Sequence, residues 1–155
     1  MAEWTSLIDA DTKIKVSSTL DKSVGKKYLT DGSPETCWTS QQGTPQYIQL
    51  SFPSPVIPKR VELTFQGGFV GTRCTVEVLP TTEAGSEAKW RTLARVYPED
   101  VNRKQIFELS PDEPELADCR IESMKLVFEE SSDFFGRVTV YDLRVLGMVS
   151  SLHNC

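Results

Sequence analysis

The 155 residues contain a single histidine, His153, and it falls in a polar tail that reads as frayed. A Ser-His-Asp or Cys-His arrangement would have to recruit that residue, which argues against catalysis of this kind. No G-x-S-x-G elbow, Gly-Lys-Thr phosphate loop or C-x-x-C pair occurs either, so the common motifs for acyl transfer, phosphate binding and dithiol chemistry are missing together. No apolar run approaches the roughly 18 residues of a membrane span. The opening MAEWTSLIDADTK has no basic stretch and no apolar stretch, so no secretion signal is visible in it. Lys and Arg number 17 against 22 Asp and Glu, for a net charge of −5. A nucleic-acid surface normally has the opposite balance, so direct nucleic-acid binding is not expected.

What is present is a globular composition, 39% hydrophobic and 25% charged, in a length that suits one domain. The most informative stretch is residues 28–52, YLTDGSPETCWTSQQGTPQYIQLSF. Asp31-Gly32 followed by Ser33-Pro34 is strong turn chemistry, because Gly tolerates positive φ and Pro presets its own. Trp38 follows in a small, polar context and is expected to pin that turn to the core. Ile48, Leu50 and Phe52 then alternate with Tyr47, Gln49 and Ser51, the period of a half-buried strand.

Similar alternation recurs along the chain. Ile14 and Val16 mark a first strand, and Val61, Leu63 and Phe65 another. Residues 74–79, 90–97, 105–109, 120–128 and 138–146 complete about eight short strands with no convincing amphipathic helix, the pattern of an all-β sandwich or barrel. Between the second and third strands, PSPVIP places three prolines in six residues and reads as a connection rather than a central strand. Residues 81–88 read as a small-residue turn, and residues 110–118 as an exposed acidic connection. Residues 1–12 form an N-terminal segment, 13–147 the domain and 148–155 the tail. Trp38 and Trp90 are both expected in the core.

The turn D-G-x-x-x-T-x-W, the polar loop after it and the Y-I-x-L-x-F strand resemble the discoidin, or coagulation-factor C-type, family. The closing Tyr141-Asp142-Leu143-Arg144-Val145-Leu146-Gly147 is similar to that family's terminal strand. The resemblance implies an eight-stranded antiparallel jelly-roll β-sandwich of the galactose-binding-like type. FQGGF, YPED, FEESSDFFGRV and LRVLG, four separated stretches in order, resemble a branch of single-domain intracellular members. That branch is regarded as repressing an orphan testicular nuclear receptor. Secreted relatives commonly tie the ends of the domain with a disulfide, but Cys37, Cys74, Cys119 and Cys155 leave the first 36 residues without a cysteine. Free thiols and an intracellular location, nucleus or cytoplasm, are therefore expected.

The resemblance also implies two candidate sites. A structural calcium ion would sit where Asp31, Thr36 and Asp142 converge, a cation that takes six to eight oxygens in flexible geometry. The alternative is that Asp31 merely caps its own turn and Asp142 is an ordinary strand residue. No other cofactor is required. The second site is the set of recognition loops at one end of the sandwich, here residues 21–27, 40–45, 67–73 and 131–137. Gln41, Gln42, Phe69, Val70, Arg73, Asp133, Phe134, Phe135 and Arg137 are its candidate partner-binding residues. Apolar loop tips at Phe69-Val70 and Phe134-Phe135 either dock on a partner or fold back as plugs over the open end. Together these expectations describe a monomeric, non-enzymatic interaction module for a nuclear receptor. The alternatives are a lectin-like carbohydrate module and an adaptor subunit of a larger assembly. The adaptor would be of the Doc type found in a ubiquitin ligase or of the intraflagellar-transport type, both similar in residues 37–52. A phospholipid-binding role is weaker still, and no membrane partner is expected.

Overall fold

In the computed structural model, residues 4–82 and 87–149 are described. Nine strands run through them, with three short 3₁₀ turns and no α-helix among the described residues. The strands are β1 (Thr5–Ser6), β2 (Lys13–Val16), β3 (Trp38–Thr39), β4 (Gln46–Phe65), β5 (Gly71–Pro80), β6 (Arg91–Val96), β7 (Lys104–Glu108), β8 (Ile121–Ser131) and β9 (Thr139–Val149).

The difference from eight strands lies in three places. Thr5–Ser6 and Trp38–Thr39 add two short strands that pair with β9. The PSPVIP segment does not interrupt the chain as a connection; it lies inside the single 20-residue β4. Its prolines do break the ladder, however. The pairing of β4 with β8 shifts register between Ser51 and Val56, and that with β9 shifts between Pro58 and Arg60. Proline is tolerated in a strand at such irregular points, where no ladder N–H is needed.

This bend lets β4 serve both layers of the sandwich. Its first half pairs with β2 on one side and β8 on the other, in a front sheet ordered β2-β4-β8-β5-β6. Its second half lies between β7 and β9 in the back sheet, where β1 and β3 pair with β9. All of these pairings are antiparallel. The sheet reaches past the 13–147 span at both ends: Thr5 pairs with Gly147, and Met148 and Val149, expected in a frayed tail, pair with Ile57 and Val56. His153 and Cys155 lie outside the described residues, as do residues 83–86 of the 81–88 turn.

The core fills the space between the layers. Ile48, Leu50, Val76, Val78, Met124, Leu126 and Phe128 face it from the front sheet, and Val61, Leu63, Phe65, Val140, Leu143 and Val145 from the back. Phe65 and Phe128 meet edge to face across it, with centroids 5.7 Å apart. Trp38 is fully buried, as expected, and its indole Nε1 donates to the Ser18 carbonyl at 3.0 Å, which ties the segment after β2 to the core. Trp90 does not share that role. It is 36% exposed on the outer face of the front sheet, beside the Lys125 ammonium. A register shift in the β5–β6 pairing puts Leu93 and Ala94 inward, which breaks the alternation expected of residues 90–97. Cys37 and Cys74 are free thiols; Cys119 is not among them, a departure from the expectation. Burial in the core pushes the Cys74 thiol far up from its ordinary pKa, with Glu129 adding to the effect, so it stays protonated.

Candidate functional site

Three of the four expected recognition loops are joined by hydrogen bonds into one surface. The 131–137 loop is closed internally: the Ser131 hydroxyl donates to the Arg137 carbonyl at 2.6 Å and accepts from the Asp133 amide at 3.0 Å. The Gly136 amide donates to the Asp133 carbonyl at 2.9 Å, with Gly136 at φ +79°. A Cβ on Gly136 would come within 2.9 Å of the Gly43 backbone, so glycine is required for conformation and clearance alike. The Gly43 amide donates to the Phe135 carbonyl at 2.8 Å, which ties in the 40–45 loop. The Val70 amide donates to the Ser132 hydroxyl at 2.9 Å, which ties in the 67–73 loop. Asp100, in the loop after β6, braces both neighbours by accepting from the Gly68 amide and the Ser132 hydroxyl at 2.8 and 3.1 Å.

The charged pair at the centre is Asp133 and Arg137. The Arg137 Nε donates to Asp133 Oδ2 at 2.9 Å, and the guanidinium lies over the Phe69 ring at 5.1 Å and near the Phe135 ring at 5.8 Å. The hydrogen bonds from Arg137 hold the Asp133 carboxyl below the usual aspartate range, and the carboxylate in turn raises the arginine.

The apolar tips divide between the two roles expected of them. Val70 is fully buried and belongs to the core, which corrects its placement among partner-contacting residues. Phe69 is half-buried beneath Arg137, the arrangement of a plug. Phe134 is 93% exposed and Phe135 is 53% exposed, and their rings meet edge to face at 5.2 Å. Gln41 is exposed, but its side chain is engaged, with Nε2 donating to the carbonyls of Thr19 and Leu20 at 2.9 and 3.3 Å. That contact carries the surface on to Leu20, an exposed apolar residue that sequence reasoning missed because nothing in its polar surroundings marks it. Gln42 is exposed. Arg73 is turned toward Glu130 and Glu129, at 3.1 and 3.9 Å. The fourth loop, residues 21–27, consists of two 3₁₀ turns with Lys22, Lys26 and Lys27 exposed.

The residues of the implied calcium site are otherwise engaged. Asp31 accepts from the Thr36 hydroxyl at 2.6 Å and from the Ser33 amide at 3.0 Å, one bond to each carboxylate oxygen. These bonds, the hydroxyl's first, lower its pKa. Asp142 faces Arg144, 3.5 Å away. Asp142 lines a depression of about 400 Å³ with Gly32, Ser33, Thr64 and Asn102, but Asp31 and Thr36 do not line it. No cluster of three or more His, Cys, Asp or Glu side chains suited to a metal gathers among the described residues. By their side chains alone the three residues offer too few oxygens for a calcium ion, which takes six to eight.

Comparison with known proteins follows the same lines. No protein-family model matches the chain. It is 43% identical over 150 residues to the nuclear receptor 2C2-associated protein of Danio rerio, covering 95% of this chain and 97% of that one. It is 38% identical over 145 residues to the Homo sapiens protein of that name, covering 92% and 96%. Among solved structures, an F5/8 type C domain from Bacteroides fragilis superposes with a TM-score of 0.73 at 12% identity, over 95% of this chain and 98% of that one. A family 32 carbohydrate-binding module of Clostridium perfringens NanJ, in complex with galactose, gives 0.71 at 14%, over 93% and 99%. At such identities the likeness is one of fold, and the fold is the galactose-binding-like, discoidin-type sandwich.

Proposed function

Because the chain belongs to the nuclear receptor 2C2-associated protein family, we propose that it is a non-enzymatic module that binds a nuclear receptor through the loop end of its sandwich and represses it. The observation that carries this is Phe134, almost wholly exposed at the tip of a loop that its own hydrogen bonds close at Ser131, Asp133 and Arg137. An aromatic held out in water gains free energy by entering a partner's pocket, and a rigid mount keeps the ordering cost of binding small. Phe135 widens the contact, and Arg137, over the plug Phe69, gives it a polar rim. Repression follows if the loop end covers a receptor surface needed for dimerisation or DNA contact. In this role the protein acts as an intracellular monomer, in nucleus or cytoplasm, without cofactor, membrane or direct nucleic-acid binding.

The test is affinity of the purified protein for the purified receptor by surface plasmon resonance, with Phe134→Ser alongside. A hot-spot phenylalanine predicts at least about tenfold weaker binding in the variant. Unchanged binding would move the receptor site away from the loop end.

A carbohydrate reading has one point in its favour, the galactose complex of a module with this fold. Sugar sites favour a broad aromatic platform among convergent polar groups. Here Trp38 is buried and Trp90 lies on the front sheet, away from the loops. Binding of the intact protein on a glycan array, lost in Phe134→Ser, would favour that reading over the receptor.

A further inference from the structure

The outer face of the front sheet carries a row of cations without carboxylate partners among the described residues. Cross-strand pairing sets Lys15 opposite Gln49, Gln49 opposite Lys125, and Lys125 opposite Glu77. Lys13 stands on the same face one row away, opposite Ser51. In the row on the other side, Tyr47, Val127, Thr75 and Arg95 follow one another across four strands. None of Lys13, Lys15, Lys125 and Arg95 forms an ion pair with a described residue. Even Lys125, with Glu77 as its cross-strand neighbour, places its ammonium over two rings, 4.6 Å from the Trp90 centroid and 5.2 Å from that of Tyr47. In a chain of net charge −5, the four cations Lys13, Lys15, Lys125 and Arg95 outnumber the carboxylates of Glu77 and Glu129 on this face, and Lys125 at its centre rests on aromatic rings although Glu77 stands opposite.

We propose that this face is a second docking surface, separate from the loop end, whose occupant is an acidic, extended segment of a partner protein. Charge complementarity gives the sign of the occupant, and the spacing gives its form. Lys15 and Lys125 are two strands apart, about 10 Å at the usual interstrand distance. A polyproline II chain returns to the same face every three residues, a rise of about 9 Å, so two acids three positions apart can reach Lys15 and Lys125 together. Tyr47 and Trp90 flank the line, as aromatic side chains do in grooves that take such segments. A single-stranded nucleic acid fits less well, since it stacks bases on open ring faces and Lys125 already lies over both rings.

The probe is a fluorescein-labelled synthetic peptide of about 12 residues with Asp at every third position and Pro or Ser between, spanning the face at the rise of such a chain. Its anisotropy is measured against the full chain at low and moderate salt. Expected are binding that weakens as salt rises and a loss of about tenfold in Lys15→Glu/Lys125→Glu, provided that variant melts like the parent. Phe134→Ser should bind the peptide normally, and Trp90→Phe should abolish any tryptophan emission change on binding. Failure of the peptide to bind at low salt, or equal binding by the charge-reversed protein, overturns the proposal. So does a single-stranded oligonucleotide of equal charge that binds more tightly than the peptide.

Discussion

Arg137 donates twice to one oxygen of Asp133: its backbone amide reaches Oδ2 at 3.1 Å and its Nε reaches the same atom at 2.9 Å. The two bonds fix both the chain path and the side chain of Arg137, and between these residues the loop presents Phe134 and Phe135. Loop geometry is therefore set before any partner arrives.

Asp133→Ala tests this separation of mounting from contact. Receptor affinity should fall several-fold although both phenylalanines remain, and the melting temperature should drop by only a few degrees, as for a pair near the surface. The pH dependence has a definite sign. Because the Asp133 carboxyl is lowered in the folded protein, the clamp contributes fully above the ordinary aspartate value of about 4. Its contribution is lost as pH falls through the depressed folded value. Binding should accordingly hold from neutral pH to about 5 and weaken only in stronger acid, as a titration of affinity would show.

Phe134 and Val70 should behave in opposite ways. Phe134→Ser should leave thermal stability within about 0.5 kcal/mol while abolishing most receptor binding. Val70→Ala should cost roughly 2 kcal/mol of stability, because it opens a hole in the core, and should bind normally once folded. Denaturant melts and binding measured on the same preparations distinguish the two.

Gly147 should be irreplaceable. A Cβ there would come 2.0 Å from the Ile57 carbonyl oxygen, and backbone cannot move aside as a side-chain tip can. Gly147→Ala should destabilise the fold by about 3 kcal/mol or more, measured by urea unfolding. Gly68→Ala, with nothing within 4 Å of its Cβ but φ at +91°, should cost only about 1 kcal/mol.

Calcium should leave the melting temperature unchanged relative to a chelator, since both oxygens of Asp31 already serve its turn. Asp31→Ala should lower the melting temperature equally with and without calcium. A calcium-dependent rise that disappears in this variant would show that the turn opens to take the ion.

The strands with one wet face were legible in the sequence because alternation reports directly which side of a sheet is buried. Ile48 and Leu50, and Val61, Leu63 and Phe65, are buried as their spacing required. The bend in β4 was not legible. Proline forbids a ladder bond but not an extended path, and whether the chain stops or turns a corner depends on the sheets that receive it. The roles of the phenylalanines were legible only as a choice between spike and plug. Phe69 and Phe134 stand in similar glycine-bearing loops, and what separates them is the Arg137 guanidinium over one ring and open water around the other. Trp90 was misread for a related reason: a tryptophan on an alternating strand suits the core, unless a register shift and a lysine give its ring a place outside.

β9 closes the back sheet, with β1 and β3 along one side of it and the second half of β4 along the other. During synthesis, the first described strand must therefore wait for the last before it has a partner. Until β9 emerges from the ribosome, the buried edge of β4 has nothing to pair with, and Leu63 and Phe65 have only half a core. While β1 to β8 are being made, the strand edges that β9 will cover stay unsatisfied, the condition in which β-rich chains depend on chaperones.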